Sequence, residues 1–184
     1  MKLKKTSITN YRCFKEAEID FDDHTTLIVG KNGAGKTAIL DAVAVAISTF
    51  LLGIDGGVSR SISKDDARYE FYDLDGTVDP QHQFPVSIES TGDCLDNHDV
   101  KWVRSLNSES GNTTVKEARE LTNISKNTQK RIMTGDKSLI LPLISYYGTG
   151  RLYAQKKEKK NIKSLTEFKP VSYTHLRAHE TLSD

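Results

Sequence analysis

Apolar and polar positions in the first thirty residues alternate as short strands do. Leu3 to Thr9 reads as one strand, Ala17-Glu18-Ile19-Asp20-Phe21 alternates with period two, and Thr25 to Val29 is a β-rich run ending at Gly30. The period then changes. Lys36 to about Leu52 is rich in Ala, Leu, Ile and Val with Asp41 the only charge after Lys36, which predicts a helix buried on most of its surface. With an acid in its second turn it is short for a bilayer span and reads as a helix inside an α/β domain. After Gly53, turn signals at Gly56-Gly57, Asp75-Gly76 and Asp79-Pro80 break a polar stretch that predicts no regular element. Phe84 to Thr91 and Val100 to Leu106 alternate again about a turn at Gly92 to Asp99, which predicts a hairpin with Trp102 as a packing residue. Val115, Ala118, Leu121, Ile124, Thr128 and Ile132 recur at helical spacing, predicting an amphipathic helix over 114–134 with Gly135 as its C-cap. Leu139 to Tyr147 is continuous enough for a buried strand, with Pro142 pointing to an edge or bulge.

Composition narrows the class. The 184 residues allow one domain, and 36% apolar residues make its core thin. A mean hydropathy of -0.50 and no cationic start followed by a long apolar run argue against secretion and membrane spanning, so we expect a cytoplasmic chain with no membrane partner. Cys13 and Cys94 are too few for a disulfide framework, and His24, His82 and His98 have no zinc-site spacing. Asp73-x-Asp75-Gly76 places its glycine too early for a calcium loop. Residues 1–150 hold 18 Lys+Arg against 21 Asp+Glu, whereas 151–169 holds seven basic residues against Glu158 and Glu167. That run is a solvated linker or helix face, or else a phosphate-contacting segment for nucleic acid.

Candidate chemistry lies at Gly30-Lys31-Asn32-Gly33-Ala34-Gly35-Lys36-Thr37, which fits G-x-x-x-x-G-K-[ST] between an apolar run and a helix. The glycines let successive backbone N–H groups, from about Asn32 through Thr37, converge on one set of phosphate oxygens, and the helix start adds its positive field. Lys36 supplies a mobile charge for the β- and γ-phosphates, and the Thr37 hydroxyl is a hard ligand for Mg²⁺. We therefore expect a nucleoside triphosphate, ATP, with Mg²⁺ on Gly30, Asn32, Gly33, Ala34, Gly35, Lys36, Thr37 and Ala38, with Lys36 as the catalytic cation.

Ile8-Thr9-Asn10-Tyr11-Arg12-Cys13-Phe14 before this loop and Ala38-Ile39-Leu40-Asp41-Ala42 after it resemble the N-terminal half of SMC, RecF and SbcC-type ATPase heads. The resemblance implies an ABC/SMC-head-like P-loop NTPase with a mixed sheet and helices, of which this chain is the N-terminal portion. It also implies Arg12 near a phosphate and Cys13 near the base or ribose, although Arg12 also reads as a surface arginine at a strand end. Asp41 reads as a helix or sheet contact. Gly56 to Arg68 and Ile144 to Leu152 resemble segments of Septu (PtuA-type) and retron antiphage ATPases. Arg151 would then be a phosphate sensor or a contact across a dimer, or else an ordinary exposed charge. Implied partners are a second head or higher oligomer, DNA, and a nuclease protein.

On this reading residues 1–153 form the N-terminal lobe, with the hairpin and helix at about 84–134 as an insertion, and 154–170 a basic linker or the start of a further insertion. Nowhere does an apolar strand end in the Asp-Glu pair of a Walker B motif, and Leu-Ser-Gly-Gly, the ABC signature, is absent. We expect this portion to bind nucleotide weakly without turning it over, and the full-length protein to hydrolyse ATP as two heads close. The alternatives are an SMC/SbcC-like double-strand-break repair ATPase and a non-hydrolysing, nucleotide-switched nucleic-acid-binding module. Val171 to Asp184 continues no earlier pattern and resembles translated sequencing-adapter read-through, so it is expected to be non-native.

Overall fold

The computed structural model describes residues 1–74 and 77–148, all within the unit Met1–Gly148. The expectations for Asp75-Gly76, Arg151, 154–170 and 171–184 lie outside the described residues. β1 (Lys2–Tyr11) and β2 (Phe14–Asp20) form a hairpin closed by Arg12-Cys13, with Tyr11 opposite Phe14. α1 runs over Lys36–Ser48 and tightens into a 3-10 turn at Thr49–Gly53. β3 (Tyr69–Leu74) pairs with β4 (Thr77–His82), and β5 (Val86–Cys94) with β6 (Asn97–Leu106). α2 (Arg119–Met133) follows a 3-10 turn at Lys116–Ala118; its C-cap is Thr134, and the expected cap Gly135 lies one place further on, at φ +78. The main sheet has the order β2-β1-β5-β6, β3-β4 stands apart, and all pairings among the described residues are antiparallel. The class is α/β, as the sequence implies.

Alternation decides which sheet face is buried. Thr6, Ser90 and Trp102 form one row across β1, β5 and β6, Ile8, Ile88 and Arg104 the next, and Val86 with Leu106 a third, all buried. α1 lies on this face. Ala38, Ala42 and Ala46 keep it close, and with Val45 they pack against Ile8, Val86, Ile88 and Leu106. Further along, Trp102 joins Phe50, Cys94, Val100, Ala118 and Leu121 in a second cluster, and its indole donates to the Ala46 carbonyl at 3.0 Å. α2 meets the 3-10 turn after α1 at Gly53, where an added Cβ would lie 2.0 Å from Ser125 Oγ.

Three sequence expectations are corrected. Thr25 to Val29 forms no strand; Leu27 and Val29 are exposed, because a strand needs a ladder neighbour and none among the described residues pairs with it. Leu139 to Tyr147 likewise forms no strand, and Leu143 is 95% exposed, so apolarity alone did not bury the run. α1 is buried or half-buried over most of its surface, as expected, with only Thr37 and Leu40 exposed. The stretch after Gly53 is not irregular throughout: it contains the 3-10 turn Lys64–Asp66 and the β3-β4 hairpin.

At the far corner of the sheet Asp93 accepts hydrogen bonds from Lys4 Nζ at 2.7 Å and from the Asp99 N–H at 3.0 Å, which hold its carboxyl at about 2 instead of 3.8. The folded value is the lower one. The stability it contributes is therefore complete above about 3.8 and is lost as pH falls through about 2. An NMR titration of the Asp93 carboxyl should return the low value, and Lys4→Met should move it back toward the ordinary one.

Candidate functional site

The glycine-rich loop leaves the unpaired 25–29 segment and turns straight into α1. Gly33 at φ +83 and Gly35 at φ +86 take the left-handed conformation that costs glycine least. The Ala34 N–H donates to the Lys31 carbonyl at 3.2 Å, which curls the loop. Lys36 Nζ donates to the carbonyls of Gly30 at 2.7 Å and Lys31 at 2.8 Å, so the ammonium is tied to the start of the loop. Gly35 is the N-cap of α1. No side chain caps the helix and no acid lies in its first turn, which leaves its positive end to an anion. Lys31, Asn32, Gly33, Ala34 and Thr37 are exposed, whereas the Ala38 side chain is buried in the core, leaving its backbone N–H as its only possible contribution.

The tip of the β1-β2 hairpin rests on this loop. A Cβ at Gly35 would lie 2.5 Å from the Phe14 ring and 2.7 Å from Cys13 Sγ, so both side chains occupy the space that glycine leaves. Cys13 is exposed there. Arg12 sits at φ +50, uncommon for a side-chain-bearing residue, and is fixed by what it touches. Its Nη1 lies 2.5 Å from Asp41 Oδ2, its Nε and Nη2 both 2.9 Å from Asp66 Oδ1, and its N–H donates to the Asp66 carbonyl at 2.7 Å. Asp66 is itself held by the Ser63 N–H at 3.0 Å and the Ser63 hydroxyl at 3.1 Å.

Asp41 is the centre of this cluster. It lies one turn beyond Thr37 on α1, is 5% exposed, and takes Arg12 on one oxygen and Arg60 Nη2 on the other at 3.0 Å. The Tyr146 hydroxyl donates to that second oxygen, and its ring lies under the Arg60 guanidinium, 5.2 Å from centroid to Cζ. Burial raises the Tyr146 phenol, and its bond to the Asp41 carboxylate raises it further. Burial also raises the Tyr11 phenol, helped by Asp66. Burial opposes the Arg12 charge, but Tyr11, Asp66 and Asp41 outweigh it, so the Arg12 pKa is raised.

A divalent cation fits this loop only in part. The exposed Thr37 hydroxyl is an oxygen that Mg²⁺ accepts, and phosphate oxygens and water would complete its shell. Among the described residues no group of three His, Cys, Asp or Glu side chains could hold a metal.

The structure places Cys13 against Gly35 of the loop and the Arg12 head on Asp41 and Asp66. It adds Arg60, Asp66 and Tyr146, which periodicity could not find because they are joined only through contacts up to 105 residues apart. Asp41, read as a helix or sheet contact, joins α1 to Arg12 at the tip of the β1-β2 hairpin and also accepts Arg60.

A family model described as an AAA domain matches residues 5–179, a span that runs into the tail beginning at Val171. A DNA replication and repair protein RecF from Flavobacterium johnsoniae is 54% identical over 43 residues, 23% of this chain and 12% of that protein. The DNA double-strand break repair Rad50 ATPase of Archaeoglobus fulgidus is 48% identical over 44 residues, covering 24% and 5%. A RecF from Actinobacillus pleuropneumoniae is 32% identical over 100 residues, covering 52% and 26%. The chain therefore spans about a quarter or less of the length of these curated relatives. A solved chain from work on ATP-driven dimerization and DNA-stimulated activation of SMC ATPases aligns with a TM-score of 0.43 and 20% identity, over 68% of this chain and 80% of that one.

Proposed function

Because the chain belongs to the AAA domain family, we propose that it binds ATP with Mg²⁺ through residues 30 to 38, as part of a DNA-repair-type ATPase head. The observation that carries this reading is the tied Lys36 ammonium above an uncapped helix start, framed by two glycines at positive φ. A triphosphate would exchange two neutral carbonyl acceptors of Lys36 for charged oxygens and find the first-turn N–H groups free of any capping side chain. Thr37 would hold the Mg²⁺, which when bound shields phosphate charge. Arg12 and Cys13 would border the nucleotide on the hairpin side, and Arg151 remains the candidate contact to phosphate or to a partner head. Hydrolysis, closure of two heads and action on DNA belong, in this reading, to the full-length protein.

Titration of the chain with a fluorescent ATP analogue and Mg²⁺ tests it. Lys36→Ala is expected to weaken binding about tenfold to a hundredfold, the value of one hydrogen bond to a charged group. Equal affinity in the two proteins would overturn the assignment.

A second reading is an antiphage ATPase of the Septu or retron kind acting with a nuclease. What favours it is that the two segments resembling those ATPases meet at one residue: Arg60 and Asp66 come from the first, Tyr146 from the second, and Arg60 and Tyr146 both bond Asp41 while Asp66 shares Arg12 with it.

A further inference from the structure

On β6 the residues Val100, Trp102 and Leu106 point inward, and the same alternation turns Arg104 into the core between Trp102 and Leu106. Arg104 is 2% exposed and stands in one row with Ile8 and Ile88. Among the described residues no carboxylate meets it. Its Nη1 donates to Ser59 Oγ at 3.2 Å and to Thr49 Oγ1 at 3.4 Å, and its Nε has no partner. Burial alone lowers its pKa. A cation so placed costs free energy that a methionine of similar length would not, so packing does not account for it.

Its two acceptors point to an account. Thr49 is the C-cap of α1, where helix carbonyls carry partial negative charge and no basic residue of the helix itself answers them. Ser59 leads directly into Arg60. Ser48, the last residue of α1, accepts the Arg60 N–H at 2.9 Å and lies 3.5 Å from the Ser59 hydroxyl. The Arg104 head thus pins residues 59 and 60 to the C-terminal end of α1. From there the Arg60 side chain reaches back to Asp41, whose other oxygen holds Arg12 beside the loop.

We propose that Arg104 is a positioning residue for the nucleotide site: it fixes the Ser59-Arg60 backbone on α1, and so sets Arg60 on Asp41 and Asp41 toward Arg12. It touches no nucleotide itself. The proposal rests on the ATP-binding reading of the loop.

The test uses the whole chain and three measurements: affinity for a fluorescent ATP analogue with Mg²⁺, melting temperature without nucleotide, and amide exchange at Arg60. Arg104→Met should melt at the same temperature as the parent or higher, exchange the Arg60 amide faster, and bind the analogue about tenfold more weakly. A purely structural residue would lose affinity only along with melting temperature. Arg60→Gln supplies the second arm: in that background Arg104→Met should cost no further affinity, because the group it positions is already gone. Unchanged affinity in Arg104→Met, a variant that fails to fold, or additive losses in the double variant would each overturn the proposal. If the parent chain binds no analogue, the ATP-binding reading fails and takes the nucleotide role with it, while Arg60 exchange still decides whether Arg104 pins the backbone.

Discussion

Alanine at position 35 is expected to remove about 2–5 kcal/mol of stability and to abolish nucleotide binding. The left-handed φ of +86 costs a residue with a Cβ about 1–2 kcal/mol. A methyl at 2.5 Å from the Phe14 ring and 2.7 Å from Cys13 Sγ adds a packing overlap of about 1–3 kcal/mol. Relief comes by turning the Phe14 and Cys13 side chains or by lifting the hairpin tip that carries Arg12, and lifting the tip extends the cost to the ion-pair cluster. Chemical denaturation of Gly35→Ala measures the first effect and analogue titration the second. Cys13→Ala combined with Gly35→Ala should recover part of the overlap and none of the backbone strain. A single variant that melts with the parent would show that the tip does not press on the loop.

Trp102→Ala is expected to be about as costly to the fold, by about 3–5 kcal/mol, without touching the loop. The indole is 1% exposed, fills the second cluster, and caps the Ala46 carbonyl on α1. For a chain of this size that loss lowers the melting temperature by roughly 6–20 °C. Trp102→Phe, which keeps most of the apolar volume but lacks the N–H, should recover much of it. A Trp102→Ala protein within two or three degrees of the parent, in a thermal melt, would mean that the cluster collapses onto the vacated space.

Parts of this architecture are legible residue by residue. Alternation over Phe84 to Thr91 and Val100 to Leu106 pointed to the β5-β6 hairpin, because one sheet face is buried and a slip would turn every side chain over. The phosphate-loop pattern is equally local: Gly33, Gly35 and Lys36 lie within four residues, and their conformations follow from their neighbours. Thr25 to Val29 and Leu139 to Tyr147 misled because β propensity states what a segment can do, whereas a ladder depends on a second segment. β3 and β4 escaped notice for the opposite reason. Asp73, Asp79 and Pro80 interrupt their pattern, yet Phe71 and Pro80 still pair across the hairpin. Arg60, Asp66 and Tyr146 lie in segments marked by resemblance, but no periodicity singles out these three residues. They reach the Asp41 cluster by tertiary contact, and Arg104 violates the inward apolar rule of its own strand.

The bond between Trp102 and Ala46 also gives the chain an optical property. There is one tryptophan in the sequence, and its indole is buried against the same helix whose first turn opens the phosphate loop, about 15 Å away along the axis. Emission from that ring therefore comes from one place, and its wavelength and quenching report whether α1 is seated on the sheet. Loss of that seat can therefore be followed with no label attached.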